Sequence, residues 1–367
     1  MTQRCLRIQD YTVGWICALP IELAAATEML DEEHQDLPQD SNDNNLYALG
    51  RIGEHNVALV CLPAGQMGTS SAAAVAIQMQ SKFTSLRFGL MVGIGGGVPS
   101  AESDIRLGDV VISQPHMQYG GVVQYDSGNT GTNGFTRTGS LNAPPTVLLN
   151  ALAKLQSNHL RRKSNLSIYL SAVSHLLDFT YGNAGPDMLF EPTYNHIGGP
   201  TCDRCSKDRL VERTSRRNQD IVVHYGTIAS GNQVMKDGVV RDRLSSELGD
   251  ILCFEMEAAG LMNSFPCLVI RGICDYADSH KNKMWQPYAA ATAAACAKEL
   301  LSIVPAAEVA KTRTVDEANN DSDRLQNDMA KIINQGGSIF SGPNHTTTGR
   351  IIQLGNLTMG DGNFTLN

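Results

Sequence analysis

The sequence predicts a three-layer α/β fold, with a central mixed sheet flanked by helices. Two observations carry this. Runs of strand length are apolar throughout and are separated by helical patterns, which is how strands buried on both faces read. Glycines cluster at the ends of those runs, where the chain must turn or approach a neighbour closely. With 367 residues, 42 % hydrophobic and 18 % charged, the chain has apolar material for one large domain or two moderate ones.

In chain order, 12–17 reads as a buried strand, after which Pro20 opens a helix. Residues 46–52 and 56–62 read as a hairpin turning at Gly53. An Ala-rich helix follows over 69–80, with Gly68 or Thr69 at its N-cap. Residues 88–94 form a fully apolar strand that ends in Gly95-Gly96-Gly97, and 109–113 form another, entered through Gly108. Helical spacing covers 144–155, and 157–220 is the least regular stretch. Strands are expected again at 222–229, 251–254 and 267–274, with a short helix at 258–263 between the last two. A long Ala-rich helix over 287–303 closes a domain spanning 10–304. A polar linker or lone helix is expected over 305–335. Residues 336–367 form a Gly/Asn/Thr-rich tail almost without charge, read either as disordered or as a segment capable of intermolecular β-structure.

Composition narrows the function. A net charge of −8 argues against a basic face for nucleic acid, and the run Arg161–Lys163 reads as solvated. No stretch reaches the ~18 apolar residues of a membrane span, and the N-terminus lacks the pattern of a secretory leader. Cys17, Cys61, Cys253, Cys267 and Cys274 stand singly in apolar runs, as free thiols do in a reducing compartment, so a cytoplasmic protein is expected. The sequons at Asn165, Asn344, Asn356 and Asn363 then carry no sugar. Cys202-Asp203-Arg204-Cys205, with His196 before it, lacks the second pair of a zinc site. It reads as a surface loop with two thiols, and no metal is expected.

Three segments carry candidate chemistry. Arg271-Gly272-Ile273-Cys274-Asp275-Tyr276-Ala277-Asp278 puts two carboxylates at the carboxyl end of a buried strand, where open α/β sheets bind ligands. Cys253-Phe254-Glu255-Met256-Glu257-Ala258-Ala259-Gly260 places two Glu where a strand meets a helix; buried unpaired they would be costly, and paired hydroxyls such as a ribose offers would satisfy one. Strand alternation would put Glu255 and Glu257 on one face, but a helix starting at Met256 would break that pattern. Glu22 follows Pro20 in a first helical turn, where the helix dipole alone favours an acid.

Together these segments resemble the nucleoside phosphorylase/nucleosidase superfamily, and in motif the 5′-methylthioadenosine/S-adenosylhomocysteine nucleosidases. The resemblance runs from about 12 to 304. It rests also on Gly93-Ile94-Gly95-Gly96, Gly108–Val111 and Ser230-Gly231-Asn232-Gln233-Val234-Met235. It implies the phosphorylase/hydrolase-like fold and a homo-oligomer. It also implies a purine nucleoside or nucleotide as small-molecule substrate, and no cofactor. Asp275 would assist the leaving base at N7, Glu257 would accept the ribose hydroxyls, and Met256 would pack on the sugar. Val234 and Met235 would wall the base, with Asn232, Glu255, Ile94, Gly95 and Gly96 completing the binding site. The family commonly has an aromatic ring at the position of Val234, so stacking must come from elsewhere.

Phosphorylases of this superfamily place an arginine where this chain has Glu22, and a carboxylate there repels phosphate but can activate water. Hydrolysis with water as co-substrate is therefore expected over phosphorolysis, with adenosine or a related adenine nucleoside or nucleotide as substrate. A non-catalytic purine sensor is the third reading. Lys281–Lys283 could reach a substrate phosphate, although a solvated loop is the plainer reading. Ala229-Ser230-Gly231-Asn232-Gln233-Val234-Met235-Lys236-Asp237 and residues 271–283 look like the nucleoside phosphorylase-like domains of fungal NOD-like receptor proteins. The chain carries no P-loop and no repeats, so a stand-alone version is expected. In that setting the tail resembles amyloid-type signalling motifs, which suggests self-assembly.

Overall fold

The computed structural model describes residues 3–38, 43–132, 134–216 and 221–320. The chain divides into two units, Met1–Val315 and Asp316–Asn367, and every element named below belongs to the first. The tail at 336–367 lies outside the described residues.

The strands are β1 (Val13–Cys17), β2 (Glu32–Glu33), β3 (Tyr47–Ile52), β4 (His55–Cys61), β5 (Phe88–Gly97), β6 (Val110–Ser113), β7 (Val122–Gln124), β8 (Gly128–Gly131), β9 (Gly134–Arg137), β10 (Val223–Gly226), β11 (Ile228–Ser230), β12 (Cys253–Glu255) and β13 (Cys267–Asp275). The helices are α1 (Pro20–Glu28), α2 (Thr69–Lys82), α3 (Thr146–Leu160), α4 (Leu166–Leu170), α5 (Gly238–Glu247), α6 (Gln286–Leu301) and α7 (Ala306–Lys311). The main sheet runs β10-β6-β13-β5-β1-β4-β3-β2, and β7, β11 and β12 join it through a β12–β5 pairing. It is mixed: β1, β5 and β13 are parallel, whereas β6 against β13 and β12 against β5 are antiparallel. Helices cover two faces, each with its own apolar cluster, one built around α1 and α6 and the other around α2. The predicted three-layer α/β fold is the observed one.

β1, β6 and β13 are buried along their whole length, which is why they read as continuous apolar runs. The glycines after Ile94 do not end their strand as expected. β5 continues through Gly97 because β12 pairs with Gly96 and Gly97. The run expected at 222–229 is two strands with different partners, β10 on β6 and β11 on β7 and β12, separated at Thr227. The helix expected at 258–263 is a single 3-10 turn, Ala258–Gly260. The domain also extends past residue 304: α7 buries Val309, and the Val315 N–H donates to the Leu86 carbonyl at 2.8 Å. At the other end, Arg4 bridges to His34. Among the described residues no single helix is long and apolar enough to cross a membrane.

Candidate active site

β1, β5 and β13 run parallel, so their carboxyl ends share one edge of the sheet, where open α/β folds form their crevice. A cavity of about 270 Å³ lies there. Glu22, from the first turn of α1, Glu257, from the turn after β12, and Asp275, the last residue of β13, all line it. Each is nearly buried, with exposures of 3 %, 5 % and 4 %. Three carboxylates spread over more than 250 positions of the chain thus reach one space the size of a small ligand.

Each carboxylate has a different set of partners. Glu22 Oε2 accepts the N–H of Ala18 at 2.7 Å and of Leu19 at 3.0 Å, while Oε1 accepts the Ile94 N–H at 2.8 Å. The helix-start role expected from local sequence is real, and the same side chain also faces the cavity. Burial raises the Glu22 carboxyl above the usual range, opposed by Arg271 and by those three N–H donors. Glu257 Oε1 accepts the Gly68 N–H at 3.3 Å, at the positive-φ N-cap of α2. Its carboxyl is pushed up to about 7, chiefly by burial and further by Glu255 and Glu22, against the pull of Arg271. Asp275 Oδ1 accepts the Ala277 N–H at 2.9 Å, and Oδ2 accepts from Lys281 Nζ at 2.6 Å.

Arg271, to which the sequence motif assigns no role, holds the cluster together. It is fully buried in β13, ion-paired to Glu255 and 3.6 Å from Glu257 Oε2. Across Gly93 its Nη1 stands beside Glu22: a Cβ on Gly93 would clash with the Glu22 carboxylate and lie 2.6 Å from Arg271 Nη1. Glu255 lines the cavity, but its oxygens are engaged by Arg271 and by the backbone N–H groups of Glu257 and Ala258. β12 ends at Glu255, and this carboxylate caps the following turn, which is how Glu255 and Glu257 come to share one guanidinium. Three carboxylates around one cation leave the cluster strongly acidic.

Met256, Val234, Met235, Ile94, Gly95 and Gly96 also line the cavity, as expected. Asn232 does not. It is exposed, and its Oδ1 accepts from the Thr69 N–H and hydroxyl at 3.1 and 3.0 Å, tying the loop before α5 to the start of α2. Lys281 is not a solvated loop residue. Burial lowers its ammonium, but Asp275 more than offsets this and holds it above its ordinary value. Lys283 and Gln286 line the same space. An aromatic wall is also present: Phe254, 5 % exposed, lines the cavity and packs edge-on against Tyr125. β12 is buried throughout, so Phe254 reads in sequence as a core residue although it faces the cavity. The Cys-x-x-Cys is a further correction: Cys202 and Cys205 are 8 % and 7 % exposed, in a small apolar cluster with Phe190 rather than on a surface loop.

These features define an α/β protein with an acidic pocket, partly walled by apolar side chains, at the carboxyl ends of its parallel strands. The chain belongs to the phosphorylase superfamily, whose family model matches residues 12–306. It is 50 % identical over 299 residues to a nucleotide-binding leucine-rich repeat (NLR)-like protein of the fungus Hyaloscypha variabilis, covering 81 % of this chain and 30 % of that one. It is 26 % identical over 287 residues to the ATP nucleosidase Cap17 of Escherichia coli, covering 76 % of this chain and 48 % of the relative. The chain therefore spans half or less of the length of these two relatives. In fold it matches the 5′-methylthioadenosine/S-adenosylhomocysteine nucleosidase of S. pneumoniae, solved with a transition-state inhibitor. The TM-score is 0.51 at 18 % identity, over 80 % of this chain and 100 % of the other.

Proposed function

We propose that the protein is a purine nucleoside N-ribosyl hydrolase acting on adenosine or a related adenine nucleoside or nucleotide. The observation that carries this reading is Glu22 in the cavity, beside Glu257, with a single guanidinium shared among three carboxylates. A phosphate dianion entering there would meet net negative charge, whereas a water molecule would meet a base. Nucleosidases among the proteins it resembles support the same choice.

In this mechanism the ribose hydroxyls donate to Glu257 and the sugar packs on Met256. The base lies against Phe254, Val234 and Met235. As the glycosidic bond breaks, its electron pair goes to the base, which takes a proton at N7 from the Asp275 carboxyl, and Lys281 pairs with the carboxylate this leaves. Glu22 takes a proton from water as the oxygen attacks C1′. The products are the neutral free base and ribose, and the proton taken by Glu22 returns to Asp275 through solvent, so that the site is restored. Negative charge around the ring favours the oxocarbenium-like state, and electrostatic preorganisation of this kind is commonly the largest catalytic contribution. Lys283 at the cavity favours including 5′-phosphorylated substrates, and the ATP nucleosidase relative points the same way.

The test is a panel of adenosine, AMP, ATP, 5′-methylthioadenosine and inosine, read by free-base release with and without phosphate. Free base and ribose in phosphate-free buffer, lost in Asp275→Ala, is the expected result. Ribose 1-phosphate formed only with phosphate would identify a phosphorylase. Binding without turnover across the panel would identify a sensor.

A further inference from the structure

Residues 189–211 make an excursion with little regular structure, closed at its base where Phe190 bridges to Leu210. Its buried core is Phe190, Cys202 and Cys205, with Met188, Tyr194 and Leu210 half-buried against them, a small cluster to order some twenty residues by apolar burial alone. Within it, His196, Cys202 and Cys205 bring ligand atoms within 4.8 Å of one another. A tetrahedral zinc site with Zn–S of ~2.3 Å and Zn–N of ~2.0–2.1 Å has edges of roughly 3.4–3.8 Å, so the cluster is close to closing on a metal.

A second observation points to a fourth ligand. His280 is 7 % exposed, and neither of its buried ring nitrogens has a hydrogen-bond partner. Two unmatched nitrogens on a buried imidazole are costly unless something binds them. Its ring lies edge-on to that of His196 at 5.6 Å and stacks on Phe190 at 4.1 Å. His280 and Cys202 line one small cleft. Asp278 Oδ1 lies 3.7 Å from His280 Nδ1, close to where a carboxylate orients a ligating imidazole. For His196, Nε2 donates to the Thr201 carbonyl at 3.0 Å while Nδ1 accepts the Gly198 N–H at 3.0 Å. A metal taking the Nδ1 lone pair would displace only that N–H and keep the carbonyl bond that fixes the ring.

We propose that His196, Cys202, Cys205 and His280 form a structural zinc site. Two thiolates and two imidazoles suit zinc over hard cations. The site would join the 189–211 excursion to the loop after β13, since the His196 N–H already donates to Ser279 Oγ at 3.0 Å. That loop follows directly on Asp275 and carries Lys281, so the metal would fix the catalytic edge without touching substrate.

The full chain, purified without a polyhistidine tag, should hold one zinc per chain by elemental analysis, released when its thiols are titrated with a mercurial. Cobalt exchanged into it should show thiolate charge-transfer and tetrahedral d–d bands. Cys202→Ser with Cys205→Ser should abolish both and lower the melting temperature. His280→Ala should keep the thiolate bands but weaken binding by at least ~10-fold. Wild-type protein that takes up no stoichiometric zinc and gives no cobalt charge transfer would overturn the site. So would a Cys202–Cys205 disulfide in protein prepared under reducing conditions. An unchanged cobalt spectrum and affinity in His280→Ala would overturn the fourth ligand.

Discussion

Replacing Arg271 with methionine keeps most of the side-chain length while removing the cation that, among the described residues, pairs with Glu255 and Glu257 beside Glu22. At 3.6 Å and an effective dielectric of ~20, the Arg271–Glu257 pair alone is worth about 5 kcal/mol before desolvation is counted. Removing one partner of a buried ion pair costs about 3–5 kcal/mol, because the remaining charges have no compensation. Arg271→Met should lose that much stability at pH 8. The loss should shrink at lower pH. Without the guanidinium the carboxyls bind protons more tightly, and their protonated forms need no counter-charge. Across pH 8 to 5.5, each extra proton held by the variant recovers up to about 3 kcal/mol. Urea unfolding of both proteins at the two pH values measures this. A loss under ~1 kcal/mol at pH 8, or one equal at both pH values, would refute the view of Arg271 as the keystone of an overcharged cluster.

Further outcomes are expected at Glu22 and Glu257. Glu22→Gln should slow base release by ~10²–10⁴-fold, and phosphate should not rescue it. It should also cost about 1–3 kcal/mol, since the amide NH₂ must face a backbone N–H where a carboxylate oxygen accepted it. Activity within threefold of wild type would remove Glu22 from the mechanism. With the Glu257 carboxyl at about 7, ribose hydroxyls can donate to it fully only above that pH. A pH profile of kcat/KM should therefore fall about tenfold per unit below pH 7. The stability sign is opposite: a carboxyl raised by folding contributes stability below its ordinary range, lost as pH rises through about 7. The melting temperature of the ligand-free protein should drop between pH 5.5 and 8 while activity rises.

Much of this was legible in the chain. Buried strands announce themselves as unbroken apolar runs, so β1, β5, β6 and β13 could be placed, and with them the edge of the sheet holding Asp275. Motifs contiguous in sequence gave Glu257 and Asp275, and Glu22 came from its family position. What stayed hidden depends on distance in space. Nothing adjacent to Arg271 says that three carboxylates converge on it, or that Gly93 is a glycine so that Glu22 and Arg271 can meet. Asn232 lies in the right motif, but its side chain is spent on Thr69. Helix α5 escaped notice because its sequence is polar; its start is fixed by Asp237, whose Oδ1 accepts from the Val239 and Val240 N–H groups. Cys202 and Cys205 looked exposed because the cluster that buries them has no periodic pattern.

Strand β5 serves two tasks along one backbone. Its first half packs the core, while Ile94, Gly95 and Gly96 form a wall of the pocket. Stability and specificity are therefore inherited together. New substrates would have to be accommodated from the loops opposite, around Gln233–Met235 and Lys281–Lys283, where a side chain can change without disturbing the centre of the sheet. Diversity among proteins built on this plan is expected to accumulate on those loops, with β5 held nearly constant.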